Sequence, residues 1–121
     1  MRTLPRILIV EDESAIAELI AVNLKHNGFQ PIWAIDAATA QRELDDVIPD
    51  VILLDIGLPK LNGYEAAQQI RRHQDGAGIV LIALTGWGQE EDRRQSKEAG
   101  FDHHLTKPVD LVTLRTLLAD M

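Results

Sequence analysis

A chain of 121 residues, 45% hydrophobic and 26% charged, has the size and make-up of one folded domain and is read as a single unit over residues 1–121. Its 19 acidic and 12 basic residues leave a net charge of −7, which repels a phosphate backbone and argues against direct nucleic-acid binding. With no Cys it can build no disulfide, thiolate metal site or thiol nucleophile, and its longest apolar run, 79–84, is far short of the ~20 residues of a membrane span. No signal-peptide pattern opens the chain, so a cytoplasmic location, with no membrane entry by the chain itself, is the expectation.

The first apolar run, residues 7–10, is continuous rather than alternating, as in a parallel strand buried on both faces. Ser14 then stands as a cap for a helix of about three turns, with Ile16, Leu19, Ile20 and Leu24 at three- and four-residue steps. Asn27-Gly28 offers that helix a left-handed stop. A weaker strand at 29–34 precedes a short helix at 37–44, and the apolar run 51–54 forms the next strand. Asn62 can cap a third helix carrying Tyr64, Ala67 and Ile70 on one side, and Gly76 and Gly78 punctuate before the strand at 79–84. The stretch 89–97 is almost wholly polar and as a helix buries little. A fifth strand at 101–105 leads past Pro108 into a last helix striped by Leu111, Leu114 and Leu118.

Strand and helix thus alternate through the chain, which predicts an α/β fold: a flavodoxin-like (βα)5 doubly wound parallel sheet covered on both faces. The pattern does not dictate strand order; 2-1-3-4-5 is the expected common solution.

In such a fold ligands bind beyond the carboxyl ends of the strands. The residues falling there are Glu11, Asp12 and Glu13 after the first strand, Asp55 at the end of the third, Thr85 after the fourth and Lys107 after the fifth. Taken singly each has a bland account: Asp55 caps a loop, the acid triplet is a solvated helix start favoured by the dipole, Thr85 is a turn residue and Lys107 a surface cation. Glu13 fits the helix start best. Together they differ, because Glu11 and Asp12 beside Asp55 repel by about 4 kcal/mol per pair at 4 Å and an effective dielectric near 20. A divalent cation offsets this, and an oxygen-only donor set without His or Cys suits Mg²⁺. A carboxylate beside Mg²⁺ can attack phosphorus to give an acyl phosphate, with the Lys107 ammonium and the Thr85 hydroxyl binding phosphoryl oxygens.

Ile-Leu-Ile-Val-Glu-Asp-Glu, Leu-Leu-Asp55-Ile-Gly-Leu-Pro59, Ala-Leu-Thr85-Gly and Leu-Thr-Lys107-Pro108, in this order and spacing, resemble the receiver domains of two-component response regulators across the whole chain. The resemblance implies Asp55 as phosphoacceptor, Asp12 as direct metal ligand, Glu11 as a neighbouring acid acting through water, and Gly57 as a metal ligand through its backbone carbonyl. It makes Thr85 and Lys107 the phosphate-contacting pair and the bond before Pro108 a cis peptide. It implies a histidine kinase or histidine phosphotransfer protein as donor. It also implies a homodimer or effector contact through the last two helices and fifth strand, and a signalling domain rather than a turnover enzyme. The segment Gly-Phe-Asp-His-His-Leu-Thr-Lys-Pro-Val-Asp looks like receivers fused to sensor histidine kinases, whose parent could be membrane-anchored.

Two departures stand out: Glu11 replaces a frequent Asp, and His104 occupies the switch position commonly held by an aromatic that turns inward when Thr85 moves. His104 is either part of that switch, with an imidazole that brings pH sensitivity, or an edge-strand surface residue. Trp87, just beyond Thr85, reads as a loop residue at a partner surface or packed against the loop. Rival classes fit less well. A Mg²⁺-dependent phosphatase with an Asp nucleophile wants a second acid where Gly57 stands, and a flavin-binding protein would not put three acids at its phosphate loop. A phosphorylation-independent interaction module of the same fold is the remaining alternative.

Overall fold

A computed structural model of the chain describes residues 4–56, 63–73, 76–85, 99–107 and 109–119. Its strands are β1 (Arg6–Val10), β2 (Gln30–Ala34), β3 (Val51–Asp55), β4 (Val80–Thr85) and β5 (His103–Thr106). Its α-helices among the described residues are α1 (Ser14–His26), α2 (Ala37–Asp46), α3 (Gly63–Arg72) and α4 (Leu111–Ala119), with a 3₁₀ turn at Gly76–Gly78. All strand pairs are parallel and the order is β2-β1-β3-β4-β5, as expected.

The continuous apolar runs are continuous because both faces of the central strands are covered. Ile7, Ile9, Val51, Leu53, Ile82 and Leu84 pack against Ile20 and Leu24 of α1 and Leu114 and Leu118 of α4. Leu8, Val10, Ile52, Leu54, Leu81 and Ala83 turn the other way, with Leu44 of α2 and Ala67 of α3. Each fully buried Leu or Ile contributes about 1.5–3 kcal/mol of transfer free energy, so these three strands anchor the domain. The edge strands β2 and β5 are only partly buried.

Local chemistry corrects several boundaries. Ser14 is the first residue of α1 rather than its cap; Glu13 takes the cap position without a side-chain cap bond, and its own N–H is bonded to Glu11 Oε1 at 3.2 Å. The chain therefore enters the helix one residue early. At the other end Gly28, at φ +86°, supplies the left-handed stop, and Phe29 N–H closes onto Leu24 O. Asp36 caps α2 through Thr39 N–H at 2.8 Å, and Asp110 caps α4 through Val112 N–H at 3.0 Å. β5 begins at His103, two residues later than the sequence pattern suggests, because Phe101 is buried in the core beside α3 and Asp102 N–H first meets Leu81 O. Asn62, Trp87, the stretch 89–97, Gly57 and Pro108 lie outside the described residues, and with them the expected helix at 89–97, the Gly57 carbonyl ligand and the cis bond.

Opposite the carboxyl edge, Arg71 at the end of α3 clamps the strand starts. Its guanidinium donates to Gly100 O, Gly76 O and Ile79 O and pairs with Asp102 at 2.7 Å, while Asp102 also accepts from Leu81 N–H. The clamp fixes where β4 and β5 begin, and hence where Thr85 and Lys107 end up.

Candidate active site

The buried polar or charged residues among those described are Glu11, Asp55 and Thr85, and all three stand at carboxyl ends of central strands. Strand register produces this: Val10 pairs with Leu54 and Asp55 with Leu84, so the ends of β1, β3 and β4 are level. Lys107 follows β5 by one residue, and its N–H bonds Thr85 O at 2.7 Å, which ties it to the same edge.

Carboxylate oxygens of Glu11, Asp12 and Asp55 all lie within 4.8 Å of one another. Asp12 is exposed, whereas Glu11 is fully buried and Asp55 is 4% exposed. Lys107 Nζ donates to Asp55 Oδ2 at 2.5 Å and lies 3.0 Å from Glu11 Oε2. The second approach is a charge contact without directed hydrogen-bond geometry, and it leaves Glu11 Oε2 buried and lacking a hydrogen bond among the described residues. Burial raises the Glu11 pKa, the Lys107 contact opposes that and the Asp55 charge adds to it; the net direction is up. For Lys107 burial alone would lower the pKa, but the hydrogen bond to Asp55 and the close carboxylate charges of Asp55 and Glu11 outweigh it and the ammonium is held more firmly.

Among the described residues three carboxylates face one ammonium, an excess of negative charge in a partly desolvated place, and the cluster holds a buried oxygen lacking a directed donor. An all-oxygen set of this kind fits a hard divalent cation. Thr85 Oγ1 sits 2.9 Å from His104 Nε2, and His104 is half-buried rather than a plain surface residue. The structure thus brings together Glu11, Asp12, Asp55 and Lys107, and pairs Thr85 with His104 at the adjoining strand ends. Glu13 faces solvent at the helix start, apart from this set.

One contact had no signal in the sequence. Trp33 on β2 donates its indole Nε1–H to the Glu11 carbonyl at 2.7 Å across 22 positions of chain. An aromatic residue on an edge strand is ordinary, and no local pattern marks this one.

A five-stranded parallel sheet with acids, a lysine and a threonine at its carboxyl edge defines the flavodoxin-like class in its receiver form. The sequence model of the response regulator receiver domain matches residues 7–119, and the chain belongs to that family. It is 39% identical over 119 residues to the DNA-binding dual master transcriptional regulator RpaA of Synechocystis sp., covering 95% of this chain and 49% of that protein. It is 42% identical over 103 residues to the phosphate regulon transcriptional regulatory protein PhoB of Escherichia coli, covering 85% of this chain and 45% of that protein. The chain therefore spans about half the length of these curated relatives. Among solved structures, the receiver domain of sensor histidine kinase PA1611 from Pseudomonas aeruginosa superposes with a TM-score of 0.87 at 31% identity over 98% of this chain and 97% of that one; it has a magnesium ion coordinated in its active-site cleft. The chemotaxis protein CheY4 of Vibrio cholerae shares the fold at a TM-score of 0.92 and 24% identity over 98% of both chains. Receivers are signalling domains rather than turnover enzymes on separate substrates. No helix among the described residues is long and apolar enough to cross a membrane.

Proposed function

We propose that this chain works as one receiver unit that accepts a phosphoryl group on Asp55 in a Mg²⁺-dependent reaction, from a histidine kinase or histidine phosphotransfer protein. The observation that carries the proposal is the meeting of Glu11, Asp12 and Asp55 within 4.8 Å with Lys107 bonded to Asp55. When bound, Mg²⁺ neutralises charge on the acids and on the transferred group.

The chain's own residues divide the work. An Asp55 oxygen forms the new bond to phosphorus as the P–N bond of phosphohistidine breaks, and the leaving imidazole nitrogen takes a proton. Asp12 and Asp55 would hold the cation directly and Glu11 through water, and the carbonyl of Gly57, which lies outside the described residues, is the further ligand expected from the family. Lys107, already on Asp55, shifts its ammonium to a phosphoryl oxygen, and the Thr85 hydroxyl donates to another. Hydrolysis reverses the state: water attacks phosphorus, releasing inorganic phosphate and the Asp55 carboxylate.

The new charge at Asp55 recruits Thr85, which pairs with Thr106 of β5, and Lys107, which directly follows β5, the element beside α4. Phosphorylation is thereby coupled to the face of β5 and α4, which with the helix expected at 89–97 is the surface for an effector or a second copy. The similarity to a receiver from a sensor kinase fits a hybrid kinase as parent and that to RpaA and PhoB a transcriptional regulator, while the net charge of −7 fits a cytoplasmic protein partner of this chain rather than DNA.

The test is chemical. Phosphoramidate carries the same P–N linkage as phosphohistidine, so incubation with it and Mg²⁺ is expected to give an adduct released by hydroxylamine, as an acyl phosphate is. An adduct stable to hydroxylamine would place the group on a hydroxyl or nitrogen and contradict the reading.

A further inference from the structure

The turn bearing the acids is short: β1 ends at Val10 and α1 begins at Ser14. Its backbone is held against β2 by Glu11 N–H to Ala34 O at 3.1 Å, one step past the last paired residues, Val10 and Ala34. There β2 stops, because Asp36 turns the chain into α2 as its cap. The Glu11 carbonyl lies beyond the strand ladder, and the donor it receives is the indole N–H of Trp33 at 2.7 Å.

Trp33 belongs to neither apolar layer and is 40% exposed on the edge strand. Its register partner is Ile9, so the ring reaches forward along β1 by two residues to meet Glu11 O. Core burial therefore does not account for a side chain of this size here, and its one polar atom is committed to the turn that carries the acids. The Glu11 carbonyl and the Asp12 N–H share one rigid peptide plane, so fixing the carbonyl fixes the direction in which Asp12 leaves the backbone. Asp12 is exposed and within ligand distance of Asp55, so the backbone supplies much of its orientation. Glu11 Oε1 accepting Glu13 N–H braces the other side of the same turn.

We infer that Trp33 is a positioning residue for the cation site: its indole N–H, held on the Glu11 carbonyl, presets the acid-bearing turn and raises the pocket's affinity for Mg²⁺. This deepens the Mg²⁺-dependent reading above and rests on it. Trp33 touches neither cation nor phosphoryl group; it acts through the Glu11–Asp12 peptide. Trp33→Phe keeps an aromatic ring and removes the donor.

The experiment is an amide NMR titration with MgCl2 of the unaltered chain, Trp33→Phe and Asp12→Asn, paired with the Mg²⁺ dependence of labelling by acetyl phosphate. The unaltered chain is expected to bind and Asp12→Asn to lose binding. Trp33→Phe is expected to bind about 2- to 10-fold more weakly, the worth of one hydrogen bond. Its Mg²⁺ concentration for half-maximal labelling should rise by the same factor while the rate at saturating Mg²⁺ stays within about twofold. Equal affinity in Trp33→Phe and the unaltered chain overturns the inference and leaves the site reading intact. An unfolded spectrum, a lower melting temperature with unchanged affinity, or a lower saturated rate with unchanged half-saturation also overturns it, because each assigns Trp33 a different task. No binding by the unaltered chain sinks the site reading itself.

Discussion

The Thr85 hydroxyl oxygen and His104 Nε2 lie 2.9 Å apart, so the hydroxyl proposed to bind a phosphoryl oxygen is engaged with an imidazole while Asp55 is unmodified. The strand register makes this meeting natural: Ala83 pairs with His104 and Thr85 with Thr106, which puts the two side chains diagonally on one face. The hydroxyl has one proton to give, so where it donates to Nε2 Thr85 must exchange this partner to donate to the phosphoryl group. His104→Phe removes the competitor and is expected to raise the phosphorylated fraction at limiting acetyl phosphate by about 2- to 10-fold. An unchanged fraction would show that His104 takes no part in the switch, and a smaller one that it assists Thr85 rather than competing for it.

Cation binding should be visible as stability. A ligand that binds only the folded chain stabilises it by about 2.7 kcal/mol at 100 times its Kd. Mg²⁺ is therefore expected to raise the melting temperature in a concentration-dependent way, and Asp12→Asn or Asp55→Asn to abolish most of that rise. An equal rise in all three chains would mean a nonspecific salt effect.

Among the described residues, Lys107 is the cation set against Glu11 and Asp55. Lys107→Ala removes the ammonium that attracts both buried carboxylates, and is expected to cost about 1–3 kcal/mol in urea unfolding at neutral pH. Saturating Mg²⁺ should recover part of this. A variant as stable as the unaltered chain without metal would contradict the assigned electrostatics.

The pH dependence has two signs. The Glu11 pKa is raised in the folded state, chiefly by burial, so between its ordinary 4.5 and the raised value the native chain binds more protons and stability increases as pH falls. Asp36 and Asp110 are lowered by the cap bonds of Thr39 and Thr113, so their contributions are present above 3.8 and disappear as pH drops through the lowered values. The metal-free chain should show a mildly acidic maximum in its urea midpoint, and Glu11→Gln should flatten the approach to it from neutral pH. A midpoint rising steadily toward neutral pH would show that Glu11 is not strained by burial.

Arg71 tests the frame rather than the site. Its bonds to three carbonyls and to Asp102 fix the starts of β4 and β5, so Arg71→Ala is expected to destabilise by about 2–4 kcal/mol. Labelling of Asp55 in the folded fraction should persist. Full stability in the variant would remove the clamp from the account.

How much of this was legible follows from range in sequence. The runs at 7–10, 51–54 and 79–84 announce central parallel strands, and the acids, Thr85 and Lys107 could be placed on one edge by counting to strand ends. Asp36 and Asp110 stand where helix caps prefer Asp and were open to the same reasoning, which favoured Ser14 while the chain turns at Glu13. The Arg71–Asp102 pair spans 31 positions and the Trp33–Glu11 bond 22, and neither follows a local period. Such contacts exist because the register of neighbouring elements is already set, so they emerge only from the folded chain.

The central claim is tested most directly by intact mass after incubation with acetyl phosphate, with and without Mg²⁺, on the unaltered chain and on Asp55→Asn. The account predicts a gain of one phosphoryl group that requires Mg²⁺ and is absent from Asp55→Asn. The same gain in Asp55→Asn, or none in the unaltered chain at saturating Mg²⁺, would contradict it.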